Sequence, residues 1–139
     1  MADFIDTNIL LYSISSNPDE VAKRNYATSI LEDRTCVLSI QVLQEFYVRA
    51  TRPKQGAAVS EADAEALVQS WFRYRIVENS AAVLIRAMDV SQTNRISFWD
   101  ALIIAAAETA GCERVLTEDL NNGQKIGTVQ IVNPFLRIK

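Results

Sequence analysis

Five short runs of β-forming residues recur along the chain, at Phe4-Ile5 and at positions 35–38, 74–77, 114–117 and 129–132, and the first four are separated by stretches of helical periodicity. That alternation leaves few topologies open. Right-handed crossovers between successive strands place helices on both faces of a parallel sheet. The expected fold is a single three-layer α/β/α domain, residues 1–139, around a parallel sheet of about five short strands. A content of 49% hydrophobic residues over 139 positions is enough for one core without disulfides or structural metal. With 4 glycines and 3 prolines there is no linker to divide it. The longest apolar run, residues 101–107, is too short to span a bilayer, and no basic leader precedes an apolar stretch, so a cytoplasmic protein is expected.

Acids stand where these strands end. Phe4-Ile5 delivers Asp6 into Thr7 and Asn8, which can cap a helix beginning at Ile9-Leu10-Leu11. In open α/β sheets, ligands collect outside the carboxyl ends of the strands. After the second strand, Ser39 caps a helix whose Leu43, Phe46, Tyr47 and Ala50 form an apolar stripe, with Glu45 beside it, early enough to lean back over the strand end. Ser97-Phe98-Trp99-Asp100 opens the most apolar helix of the chain, closed by Gly111. Glu118-Asp119 follow the fourth strand in the same place that Asp6 occupies after the first. Taken singly, each acid has an ordinary explanation: Asp6 a helix start, Glu45 a solvated face, Asp100 the partner of Ser97 in a capping box. Together, four carboxylates at one rim repel one another and call for a cation.

The sequence has no histidine, which removes Ser-His-Asp and Cys-His triads and histidine-pair ribonuclease chemistry. Cys36 and Cys112 have neither CxxC spacing nor a histidine, so they read as buried thiols rather than zinc or redox sites. Oxygen-only donors select Mg²⁺ or Mn²⁺ over zinc. A net charge of −3 argues against a nucleic-acid partner. Neutralising the four acids reverses that objection and leaves Arg49, Arg52, Lys54, Arg73, Arg75, Arg86 and Arg95 as candidate phosphate contacts.

The chain resembles the PIN-domain ribonucleases, and among them the VapC-type toxins of bacterial toxin–antitoxin pairs, over nearly its whole length. The resemblance lies in Phe4-Ile5-Asp6-Thr7-Asn8-Ile9-Leu10, in Ser39 through Glu45-Phe46, in Phe98-Trp99-Asp100-Ala101-Leu102-Ile103, in Leu116-Thr117-Glu118-Asp119-Leu120 and in Ile131-Val132-Asn133-Pro134-Phe135. It implies metal-binding acids at Asp6, Glu45, Asp100 and Asp119, supported by Thr7, Asn8 and Thr117, with Glu118 able to exchange roles with Asp119. It further implies Mg²⁺-dependent endonucleolytic cutting of RNA to a 5′-phosphate and a 3′-hydroxyl, an antitoxin partner and a homodimer. Candidate apolar surface for those contacts surrounds Tyr12, Tyr26, Phe46, Tyr47, Trp71 and Phe72. Two other readings stand beside it. A haloacid-dehalogenase-like phosphatase also places an Asp after its first strand, but Asn8 stands where its second Asp belongs; the other is a catalytically silent PIN-like domain that only binds partners.

Overall fold

The computed structural model describes residues 2–52 and 59–138; Lys54 lies outside them. β1 (Ala2–Ile5), α1 (Thr7–Ser13), α2 (Val21–Asp33), β2 (Thr35–Ser39), α3 (Ile40–Thr51), α4 (Glu61–Ser70), β3 (Arg75–Val77), α5 (Ala81–Asn94), α6 (Phe98–Thr109), β4 (Arg114–Leu116), β5 (Lys125–Ile126) and β6 (Val129–Val132) follow in chain order. Single 3-10 turns, Pro18–Glu20 and Trp71–Arg73, precede α2 and β3. The helix signalled by Asn17-Pro18 thus begins with a tight turn: the Asn17 side chain accepts from Asp19 N–H, and regular α-helix starts only at Val21. The same chemistry starts four longer helices, where Ser39, Ser60, Ser80 and Ser97 each accept a backbone N–H three residues on.

The strands lie in the order β3-β2-β1-β4-β6-β5. Among the described residues all pairings are parallel except that of β5 with β6, so the sheet is mixed and has six strands. The strand beyond the expected five is β5, whose two residues are too few to carry a period in the sequence. Phe4 and Ile5, adjacent and therefore on opposite faces, are both fully buried, as are Val115 and Leu116. Both faces of the central strands are covered, which is why they read as continuous apolar runs rather than alternating ones. α6 buries every residue from 101 to 107 and lies on β2, β4 and β6, its three consecutive alanines, 105–107, permitting close approach. Gly111, at φ +73°, ends it in the left-handed conformation that its lack of a Cβ allows, with Cys112 N–H donating to Ala107 C=O. No helix among the described residues is long and apolar enough to cross a membrane.

Most aromatics named above as candidate surface are packed inside. Phe46 and Trp71 are buried and meet edge-to-face with ring centroids 4.7 Å apart, joining α3 to the turn after α4. Tyr12 and Tyr26 both pack against Phe135, and only Phe72 of the six is exposed. The exposed large apolar residues instead include Val48, Leu84, Ile85, Met88 and Trp99.

Candidate active site

From β1 the sheet runs outward one way through β2 and β3, and the other way through β4 and β6. The chain reverses direction across the sheet between β1 and β4, and such a switch point leaves a crevice at the strands' carboxyl ends. Asp6 sits there. Its N–H donates to Leu116 C=O at 3.1 Å, extending the β1–β4 ladder by one bond. Its Oδ1 accepts from Thr7 N–H at 2.7 Å, which makes Asp6 itself the N-cap of α1.

Thr7 and Asn8, expected as caps, are thereby released for other work. Thr7 Oγ1 donates to Glu45 Oε2 at 3.1 Å, and Asn8 Nδ2 donates to Asp119 Oδ2 at 3.1 Å. Thr117 Oγ1 donates to Asp6 Oδ2 at 2.8 Å and accepts from Asp119 N–H at 3.1 Å. Asp6, Glu45 and Asp119 are therefore tied into one network by three small polar side chains. Asp100 joins it less directly. Its backbone N–H is capped by Ser97, and among the described residues its carboxylate has no hydrogen-bond partner, so the capping box is left half made. The preceding Trp99 C=O accepts from Gln41 Nε2 at 3.3 Å, and the same nitrogen donates to Glu45 Oε1 at 2.9 Å. Gln41 bridges the starts of α3 and α6, a role missed in the sequence although it stands one helical turn before Glu45. Its Oε1 is buried without a partner.

The electrostatics are strained in one direction. Burial pushes the Asp6 carboxyl up to about 6; hydrogen bonds from Thr117 and Thr7 oppose this, and the charges of Asp119 and Glu45 add to it. Among the described residues none of the ion pairs reaches Asp6, Glu45, Asp100 or Asp119. No three of the acids converge there as a ready-made metal cage. The donor chemistry nevertheless fits a hard divalent cation: carboxylates, hydroxyls and amides, a buried carboxyl whose ionisation is penalised, and an unsatisfied amide oxygen nearby. The thiols stand apart from this chemistry, since burial pushes both Cys36 and Cys112 up to about 11.

Glu118 points to other partners. Lys23 Nζ donates to its Oε2 at 2.8 Å and Tyr12 donates its hydroxyl proton to Oε1, while Lys23 also stands 4.8 Å above the Tyr12 ring. Burial alone would raise the Glu118 carboxyl; the bonds from Lys23 and Tyr12 and the Lys23 charge outweigh it and hold it below its usual value. The sequence offered no signal for this cluster, whose members lie far apart along the chain.

The candidate phosphate contacts separate by place. Arg49 and Arg52 line a cavity shared with Asn8 and Asp119. Arg95, the left-handed residue that ends α5 (φ 54°), is exposed shortly before Asp100. Arg75 begins β3 and donates to Ala110 C=O just past α6, and Arg73 stacks on Tyr74, so both belong to the amino-terminal rim of the sheet. Arg86 is held by Asp89 and Glu108.

The family model of the PIN domain matches residues 4–124. Solved structures share the fold. A toxin–antitoxin complex from Klebsiella pneumoniae matches with a TM-score of 0.69 at 20% identity, over 95% of this chain and 97% of that one. VapBC2 from Rickettsia felis, bound to a DNA fragment from its promoter, matches at 0.66 and 18%, over 94% and 97%. VapC20 from Mycobacterium tuberculosis, a toxin that cleaves the sarcin–ricin loop, matches at 0.65 and 18%, over 84% and 91%. No curated protein sequence matches significantly. The family model spans all four acidic positions and the strand-end network that joins three of them, and the chain belongs to the PIN domain family.

Proposed function

We propose that the protein is a Mg²⁺- or Mn²⁺-dependent endoribonuclease, the cytoplasmic toxin of a toxin–antitoxin pair. The observation that carries this is Asp6: a buried carboxylate at the sheet's switch point, pressed by Asp119 and Glu45 and, among the described residues, in no ion pair. Asp6, Glu45, Asp100 and Asp119 would hold the ion. Bound there, a divalent cation supplies Lewis acidity toward a phosphodiester and water. The chain's own groups orient the acids: Thr7 fixes Glu45, Asn8 fixes Asp119, and Thr117 spans Asp6 and Asp119. Arg49 and Arg52, which line the cavity beside Asp119, and the exposed Arg95 would contact the substrate's phosphates. Cleavage leaves a 5′-phosphate and a 3′-hydroxyl.

Family membership removes the phosphatase reading, and Asn8, donating to Asp119, serves the acids rather than replacing one. An antitoxin partner is supported by neighbours solved as toxin–antitoxin complexes. Surface for it and for a second copy is offered by the α5 residues Leu84, Ile85 and Met88 and by a groove of about 420 Å³ between α3 and α4 that includes Val48 and Phe72. The test incubates purified protein with structured and single-stranded RNA and with p-nitrophenyl phosphate, in Mg²⁺, in Mn²⁺ and in excess EDTA. RNA cutting that needs either ion is expected. Cutting that survives EDTA, or turnover of the phosphate ester alone, would overturn the assignment.

A further inference from the structure

Beside the acids lies a cavity of about 590 Å³, within the range of pockets that take a small ligand. One wall is Asn8 and Asp119, so whatever fills it lies directly against the acid rim. Arg49 and Arg52, at the end of α3, line it too. The chemistry between these walls is divided. Leu11 and Ile14 give an apolar side, while Asn17 and Glu20, one turn apart in the 3-10 turn before α2, give a polar edge.

That edge has a readable pattern. Asn17 Oδ1 is spent on Asp19 N–H, which leaves its amide N–H₂ to donate. Glu20 Oε1 accepts from Ser15, which leaves Oε2 to accept. A donor and an acceptor lining one cavity suit the Watson–Crick edge of an unpaired base, and in a duplex that edge is already consumed. Apolar wall, polar edge and cationic rim thus match base face, base edge and phosphate, in a space opening onto the acids.

We propose that this cavity is a subsite for one unpaired nucleotide of the substrate strand, its base between Leu11–Ile14 and the Asn17–Glu20 edge and its phosphate on Arg49 and Arg52. The inference rests on the endoribonuclease reading above. It makes cleavage depend on a base that can leave its stack, next to the cut.

Two substrate series test it. In the first, an abasic residue is walked along one RNA that the wild type cuts. Cutting is expected to fall about tenfold at one fixed offset from the scissile bond, as loss of a base from its contacts implies. In the second, cut sites are sequenced in a randomised RNA. Asn17→Asp keeps the cap on Asp19 but turns the edge into two acceptors, so cuts should shift about tenfold toward guanine, which offers two adjacent donors. Lys125→Ala, on the exposed edge strand, should leave both patterns unchanged. Equal cutting at every abasic offset, or an unchanged base distribution in Asn17→Asp, overturns the subsite and leaves the cavity to a protein partner. If the wild type cuts no RNA in either ion, the endoribonuclease reading itself has failed. The cavity is then judged by titrating 5′-mononucleotides in chelator: binding that Arg49→Ala/Arg52→Ala weakens tenfold and Asn17→Asp re-ranks supports the subsite, and no binding at millimolar nucleotide overturns it.

Discussion

Two aspartates stand at opposite rims of the sheet, Asp3 near the start of strand β1 and Asp6 just past its end, both less than a tenth exposed. Arg114 grips Asp3 with two nitrogens, at 2.8 and 2.9 Å, and Arg34 adds a third contact at 3.3 Å. Among the described residues, Asp6 receives only hydrogen bonds from Thr7 and Thr117, with Asp119 and Glu45 adding negative charge. Burial is common to both, and compensation distinguishes them. A buried acid with its countercharge supplied by the chain is part of the scaffold; one left without it is poised for a charge from outside.

The largest effect expected from this contrast is on cleavage. Asp6→Asn, Asp119→Asn and Asp100→Asn should each lower RNA cutting by about a thousandfold, the loss of a group that positions the ion and substrate charge. Asp6→Asn should not destabilise the metal-free protein by more than about 1 kcal/mol, because the relief of a buried charge offsets a worsened bond to Thr117, whose oxygen already accepts from Asn8 and Asp119 N–H. Mg²⁺ should raise the melting temperature of the wild type and much less that of the variant. Asp100 sharpens the point. Ser97 supplies the cap whatever stands at 100, so a destabilised but active Asp100→Asn would remove it from the site.

At the other rim the signs reverse. Asp3→Ala should cost about 1.5 kcal/mol in urea unfolding, since it removes the shared acceptor of Arg114 and Arg34, whose side chains, 36% and 32% exposed, water then partly solvates, while cleavage per folded molecule stays at wild-type level. Loss of cutting at equal folded fraction would erase the distinction between the rims.

A smaller, pH-dependent difference follows from Asp6 alone. The folded protein holds that proton up to about pH 6, whereas the unfolded chain releases it near 3.8. The contribution to stability is therefore full below 3.8 and is lost as pH rises through 6. In chelator, the wild type should lose about 1 kcal/mol more than Asp6→Asn between pH 5 and pH 7. Parallel stability curves for the two would show that Asp6 titrates normally.

Much of this was legible in the sequence because its signals are local. Apolar runs ending in acids marked Asp6 and Asp119 at strand ends, and helical spacing placed Glu45 one turn into α3 and Asp100 at the start of α6. What failed to show was set by tertiary geometry. Capping preference offered Asp6, Thr7 and Asn8 alike for the helix start; that Asp6 takes the cap, while Thr7 reaches Glu45 and Asn8 reaches Asp119, 38 and 111 residues away, is decided between elements. Arg73 and Arg75 carry the right charge, but parallel pairing of β3 with β2 puts them at the amino-terminal rim, away from the acids. Phe46 and Trp71 lie on the apolar faces that helical spacing marks, but that they meet each other edge-to-face is decided by how α3 and α4 pack. Charge, spacing and hydrophobicity carry no information about which rim or face a residue reaches when its partner lies on another element.

The smallest effect concerns Glu118, the acid beside Asp119 that is compensated although it lies on the uncompensated rim. Its pairing with Lys23 and Tyr12 pins the segment after β4 that carries Asp119, so it belongs with Asp3 in kind while standing next to Asp6 in place. Lys23→Met keeps the apolar stem over Tyr12 and removes only the charge. Both partners are partly exposed, 28% each, so water replaces much of the interaction and the cost should be about 0.5 kcal/mol. That cost has a definite pH signature. Glu118 is held below its usual value in the folded state, so its contribution is present above the unfolded value and disappears as pH falls through the lowered one; wild type and Lys23→Met should differ at pH 7 and converge in acid. Cleavage should weaken mainly through poorer ion affinity, read as a higher Mg²⁺ requirement with nearly unchanged rate at saturation, because Asp119 keeps its own bond from Asn8. A rate that collapses at saturating Mg²⁺ would mean that Glu118 itself holds the ion, and the division between compensated and uncompensated acids would then have to be redrawn between Asp119 and Glu118 rather than between the two rims.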